Sequence, residues 1–260
     1  MVVLSVVSAK GGVGKTTLAA SLGLALSRTR KVLAVDLDPQ NALRLHLGVD
    51  ANEIDGAGRA TLQERPWQTS VFQGAGGPWV LPYGNLNETD RDALEVHLSA
   101  HPDWLSAGLR GLPAGLADLV VVDTPPGPSL YQQQALRVAN FVLVVIHADP
   151  ASYATLPAME TILDRYCVGR EHFHGAAYLL NNVNAGSTLS RDVVRAVRSA
   201  LSDRVVPHVV HQDEAVREAL AFDQSVLQYA PHGEASRDIQ QVGQWLAQQL
   251  AVFAQTRRAG

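Results

Sequence analysis

Ser8-Ala9-Lys10-Gly11-Gly12-Val13-Gly14-Lys15-Thr16-Thr17 is the stretch on which the reading of this 260-residue chain turns. It stands between a β-branched run, Val2 to Val7, and a Leu/Ala-rich run, Leu18 to Ser27. The first reads as a buried strand, because a parallel strand covered on both faces loses its polar alternation. The second reads as a helix. Strand, glycine loop and helix in that order are the setting a phosphate-binding loop requires. Gly11, Gly12 and Gly14, with Val13 among them, let backbone N–H groups turn inward without a Cβ in the way. The helix behind adds its positive end. Lys15 is placed to reach the β and γ phosphates of ATP, and the hydroxyl of Thr16, next to Thr17, to ligate Mg²⁺. The strict motif has glycine at position 9; alanine stands there instead, so the loop is a variant.

Composition limits what surrounds this loop. Of 21 basic residues only Lys10, Lys15 and Lys31 are lysines, and two of those three lie in the loop. A formal charge of −4 argues against a constitutive polyanion binder but leaves room for a local basic patch. The single cysteine, Cys167, excludes a disulfide framework and a cysteine-rich metal site, and suits a reducing compartment. No apolar run approaches the roughly 18 residues of a membrane span, and no secretory leader pattern opens the chain. The expectation is a cytoplasmic globular protein.

Carboxylates follow two further strand signals. Lys31 to Val35 runs into Asp36-Leu37-Asp38-Pro39-Gln40, and Leu119 to Val122 runs into Asp123-Thr124-Pro125-Pro126-Gly127. In a doubly wound sheet the carboxyl ends of strands border the ligand crevice. Asp36 and Asp38, two residues apart, leave their strand on one side; the plain alternative is a turn capped by Asp and Pro. Four apolar residues ending in Asp123 read as a Walker B strand whose carboxylate holds Mg²⁺ through water.

Strand signals recur at 141–146, 176–180 and 205–210, and helix signals at 129–137, 154–166, 189–202, 214–221 and 236–253. The fold class is therefore α/β, a doubly wound, mostly parallel sheet in one P-loop domain covering residues 1–260. Residues 50–118 are the least regular, insertion-like part, with a helix pattern around 90–100. Their aromatics, Trp67, Trp79, Tyr83 and Trp104, suit satellite core better than a partner surface. Residues 236–260 form a last helix and tail, with an apolar stripe at Ile239, Val242, Leu246, Leu250 and Phe253 and basic residues at Arg257 and Arg258. Its opposite face is rich in glutamine, which favours packing on the sheet over lying on a membrane. Arg191, Arg195 and Arg198 make a basic stripe on one helix face, read first as a solvated surface.

Lys-Gly-Gly-x-Gly-Lys-Thr-Thr resembles the deviant loop of the ParA/MinD group of P-loop ATPases. The resemblance implies that Lys10 crosses a dimer interface to the partner's ATP, like an arginine finger supplied in trans. It implies that Asp38 orients the attacking water and that Asp36 supports the Mg²⁺ shell. Asp123-Thr124-Pro125-Pro126 is similar to the family's second switch. The family's adenine-contacting Asn falls on Asn181, with Asn182 the open alternative. Asp213 fits the aspartate that relatives commonly place near the base, with His211 where they have proline, although as a simple helix N-cap it would need no ligand.

Outside the nucleotide loops, residues 38–50, 81–84, 211–215 and 223–226 resemble the BcsQ branch of that group, concerned with bacterial cellulose synthesis. This implies a slow ATPase, turning over on the order of 10⁻² per second or less without a partner, that dimerises on ATP. It also implies a role in assembling or positioning the cellulose secretion complex with its accessory proteins, with peripheral recruitment to the inner membrane's cytoplasmic face. Two other outcomes belong to the same group: nonspecific DNA binding in partitioning, which the acidic balance disfavours, and MinD-like membrane positioning.

Overall fold

The computed structural model describes residues 1–256. Strand β1 (Val2–Val7) leads through the glycine loop into α1 (Lys15–Ser27) and then β2 (Val32–Asp36). Short helices α2 (Leu43–His46) and α3 (Ala57–Leu62) precede two short strands, β3 (Phe72–Gln73) and β4 (Trp79–Leu81). Helices α4 (Glu88–Ala100) and α5 (Trp104–Arg110) return the chain to β5 (Leu119–Asp123), α6 (Leu130–Val138) and β6 (Phe141–His147). Then come α7 (Pro150–Tyr153), α8 (Leu156–Tyr166), β7 (Gly175–Asn181) and α9 (Thr188–Leu201), followed by α10 (Ala215–Ala221), α11 (Val226–Tyr229) and α12 (Glu234–Thr256).

The sheet order is β3-β4-β2-β5-β1-β6-β7, and only β3 runs antiparallel to its neighbour. From β1 the chain winds first toward β2 and β4, then toward β6 and β7, so the strand order reverses beside β1. That reversal opens a crevice at the carboxyl ends of β1 and β5. Alternate residues of one strand serve opposite faces. Leu4, Val6, Ala34 and Val121 pack toward α1 and α12, whereas Val3, Leu33, Val35 and Val122 pack toward the core that holds Leu94, Leu105 and Tyr131. Both faces are apolar, which is why the strands read as unbroken hydrophobic runs. Side-chain oxygens of Asn87, Ser129, Asp149 and Ser187 accept first-turn N–H groups and set where α4, α6, α7 and α9 begin.

Four expectations meet a more detailed answer. The region 50–118 supplies the two strands at one side of the sheet, β3 at the edge and β4 beside it, as well as three helices. Its aromatics are core: Trp67, Tyr83 and Trp104 are buried, and both indole N–H groups donate to the Thr61 hydroxyl, at 3.1 and 3.0 Å. Residues 205–210 do not form a regular strand. Val206 and Val210 donate to the carbonyls of Tyr178 and Leu180, but Pro207 between them has no N–H to extend the ladder. The helix expected over 154–166 is α8, which starts at Leu156, and the short helix α7 precedes it across a break at Ala154 and Thr155.

Finally, Ile239, Val242, Leu246 and Leu250 of α12 are all buried and belong to the same core as Leu18 and Leu22 of α1. The last helix covers the sheet, and its apolar stripe is not free for a lipid surface. The side chain of Phe253 and the residues Arg257 and Arg258 lie outside the described part. Among the described residues no helix is long and apolar enough to cross a membrane.

Candidate functional site

The loop from Ser8 to Gly14 is held in shape by its neighbours. Ser8 donates its hydroxyl to the Lys10 carbonyl at 2.6 Å, and its own carbonyl accepts from the Gly127 N–H and the Gln132 side chain, both at 3.1 Å. The loop is thereby tied to the segment that follows β5. Val13 is buried and anchors it, while Gly11 and Gly12 stay exposed. Gly12 and Gly14 have φ of +73° and +86°, a backbone that side chains seldom adopt. Gly14 caps α1, no acidic side chain occupies the first turn, and no side chain caps its N–H groups. Those donors and the helix dipole stand ready for an anion.

Lys15 heads α1 and is only 6% exposed. Burial lowers its pKa, while the charges of Asp123 and Asp38 pull it back up. Thr16 and Thr17 are half-buried beside it. Asp36 and Asp123 end adjacent strands in register, both fully buried. Their situations differ. Asp36 accepts the N–H of Asp38 at 2.8 Å and that of Leu43 at 3.0 Å, so it builds the loop that presents Asp38. Burial and then the charge of Asp123 push its carboxyl well above the usual carboxylate range.

Neither oxygen of Asp123 has a hydrogen-bond partner among the described residues. Burial pushes its carboxyl up to about 7, against the pull of the neighbouring Thr16 side chain and Lys15. A buried carboxylate without a partner is costly unless a cation completes it. With the Thr16 hydroxyl nearby, this hard oxygen set fits Mg²⁺, which binds few protein oxygens and keeps its waters.

Asp38 is half-buried, and one of its oxygens accepts the Gln40 N–H at 2.9 Å. No other donor reaches its side chain among the described residues. The loop it rides on is latched by Asn41, which adopts φ +53° and accepts from the N–H groups of Tyr83 and Gly84 at 3.1 and 3.4 Å. Lys10, on the exposed lip, leans away from its own loop to Asp149 at 3.5 Å. Burial opposes it, yet the Ser152 N–H and Lys10 hold the Asp149 carboxyl below its ordinary range.

Asn181 ends β7 and donates its side-chain N–H to the Val13 carbonyl at 2.8 Å, bracing the glycine loop. Together with Asn182, His211 and Asp213 it lines a cavity of about 160 Å³ that opens onto Gly12 and Gly14, of a size and place for a flat base. Asp213 works there as a staple, its two oxygens accepting the N–H groups of Ala215 and Ala235 at 3.0 and 3.1 Å.

The sheet thus gathers Lys10, Lys15, Asp36, Asp38, Asp123, Asn181 and Asp213 at one end. Arg191, Arg195 and Arg198 line a separate open groove on α9. There Arg195 pairs with Asp192, while Arg191 and Arg198 donate to the carbonyls of Ala185 and Pro207. Sequence reading missed Asp149 and Asn41. Asp149-Pro150 after a strand is a legible helix start, but nothing local marks Asp149 as the partner of Lys10.

A substitution tests the loop itself. An added Cβ at Gly14 would lie 2.5 Å from the Asn181 side-chain nitrogen, in a left-handed backbone. Left-handed geometry alone costs roughly 1–2 kcal/mol. Gly14→Ala is therefore expected to weaken binding of a fluorescent ATP analogue by about tenfold or more while the far-UV CD spectrum is retained. Undiminished binding would remove the loop from the site.

The family model of the cellulose biosynthesis protein BcsQ matches residues 1–247. The cellulose biosynthesis protein BcsQ of Escherichia coli (strain K12) is 28% identical over 247 residues, covering 94% of each chain. The chromosome-partitioning ATPase Soj of Thermus thermophilus is 30% identical over 230 residues, covering 88% of each. Among solved structures, the septum site-determining protein MinD of Pyrococcus horikoshii, in complex with Mg-ADP, superposes with a TM-score of 0.76 at 22% identity, over 97% of this chain and 98% of that one.

Proposed function

Since the chain belongs to the cellulose biosynthesis protein BcsQ family, we propose that it is an ATP-hydrolysing switch that dimerises on ATP and helps to assemble or position a cellulose secretion complex. The observation that carries the nucleotide part is the buried, unpartnered Asp123 carboxylate set beside Lys15 and the uncapped start of α1. In this reading the loop N–H groups and Lys15 bind the phosphates, and Lys15 supplies a compact point charge. Thr16 and Asp123 hold Mg²⁺, which when bound neutralises phosphate charge. Asp38 positions the attacking water, and Asn181 and Asp213 border the base. The cellulose part rests on the family and on the printed name of the E. coli relative.

Lys10 carries the dimer part. Its side chain is 43% exposed and its ammonium is paired with Asp149, free to exchange that partner for a phosphate across a two-fold interface. A ligand that binds only the closed dimer shifts the population toward it. Lys10→Ala is expected to retain nucleotide in the monomer and to lose ATP-dependent dimerisation on a calibrated sizing column. A Lys10→Ala protein that dimerises with ATP like the wild type would end this assignment. The cellular role is tested by cellulose secretion in cells carrying Lys15→Ala, which is expected to fall to the level of a deletion.

A further inference from the structure

We propose that the basic groove at the pole opposite the nucleotide loops docks an acidic segment of a partner protein. The groove encloses about 500 Å³ and includes Arg137, Arg165, Tyr166, Val168 and Arg170 in its walls. Arg137 lies in the last turn of α6 and Arg165 in the last turn of α8. Both are exposed, and both stand over the same tyrosine ring, their guanidinium carbons 5.4 and 5.3 Å from the Tyr166 centroid. Two like charges share one ring, and neither is ion-paired among the described residues. Arg170 spends its guanidinium on the carbonyls of Arg137 and Ala139, so its charge also lacks a carboxylate. The carboxylate present, Asp103, reaches toward Arg110 at 4.0 Å, outside this trio.

Cations at helix C-termini are ordinary, and the dipoles of α6 and α8 explain one arginine each. They do not explain the shared ring, or Val168, which is 60% exposed on the wall of the same groove. Guanidinium forks beside an aromatic and an aliphatic surface suit an extended chain that carries carboxylates and apolar side chains. The groove has no glycine loop, and the helices that end there present carbonyls, so a compact phosphate group finds no cradle.

The place of the groove matters. Val138 ends α6 two residues short of β6 and Val168 precedes β7, whereas Lys10 and Asp38 lie beyond the carboxyl ends of the strands. At about 3.3 Å per residue, a seven-residue strand puts roughly 20 Å between the two poles. A dimer closed over the nucleotide would leave this groove open, so docking here is independent of nucleotide. Its failure is therefore distinguishable from failure of the ATPase reading.

The probe is a fluorescein-labelled random copolymer of Glu and Tyr, titrated with full-length protein by anisotropy at low salt, without nucleotide and with ATP or ADP. Saturable binding is expected, equal in all three states. It is expected to weaken about tenfold or more in Arg137→Glu/Arg165→Glu, and less in Arg137→Gln/Arg165→Gln, which serves if the reversal alters the melting temperature. Arg191→Glu/Arg195→Glu, on the other basic groove, is expected to leave binding unchanged. No binding by the wild type, equal loss in the α9 variant, or displacement by inorganic polyphosphate more readily than by unlabelled copolymer would overturn the proposal.

Discussion

Asp38→Ala is expected to slow ATP turnover by roughly 10²–10⁴-fold, the range for loss of a positioned acid–base group, while ATP stays bound. The reason lies in how the carboxylate is presented. Asp36, locked to the N–H groups of Asp38 and Leu43, fixes the loop at the strand end. Asn41 fixes it again two residues beyond Pro39, by accepting from the 83–84 backbone. One Asp38 oxygen is used by Gln40, which leaves the other for a water. Removing the carboxylate takes away this positioning but none of the phosphate contacts proposed for the glycine loop and Lys15. Phosphate release at saturating ATP, measured beside equilibrium ATP binding, separates the two. Wild-type turnover would transfer the role to another residue; lost binding would make Asp38 a binding group.

Asp123→Asn is expected to have effects of opposite sign on stability and on metal dependence. In the nucleotide-free protein the Asp123 carboxylate is buried without a partner, and its pKa stands at about 7, above the ordinary 3.8. The folded state therefore binds the proton more tightly than the unfolded chain does. Between about pH 4 and 7 this makes the wild type lose stability as pH rises, because the folded state must then bury a charge. Asparagine never ionises. Its advantage over the wild type is expected to be small near pH 4 and to grow toward pH 7, reaching about 1–3 kcal/mol, or several degrees in Tm.

The same change removes the charged oxygen proposed to hold Mg²⁺ with Thr16. Added Mg²⁺ and ATP should raise the Tm of the wild type and leave that of the variant nearly unmoved. Thermal melts at pH 4.5 and 7.5, with and without Mg-ATP, check both halves. A variant less stable at pH 7.5, or one stabilised by Mg-ATP as much as the wild type, would contradict the assignment.

How much of this was legible beforehand follows from what is local. The glycine loop, the strand before it and the helix after it were readable because their signals are contiguous. So was the place of Asp123 at a strand end, since four apolar residues lead into that one carboxylate. The β4 strand was not readable: three residues, Trp79-Val80-Leu81, owe their strand to pairing with Leu33, Ala34 and Val35 of β2, far away in sequence. Pro207 is a local signal that 205–210 would break, and it was outweighed by the valines around it. The partner of Lys10 was invisible for another reason. Asp149 lies 139 residues away in the chain, and only the parallel packing of β6 against β1 brings it to the loop.

ATP, and not ADP, is proposed to join two copies of this chain. The most direct test is the mass of Asp38→Ala in solution by light scattering, with Mg²⁺ and either nucleotide, because slow hydrolysis holds the ATP state. Twice the chain mass with ATP and the chain mass with ADP is the expected result. One and the same mass with both nucleotides would contradict it.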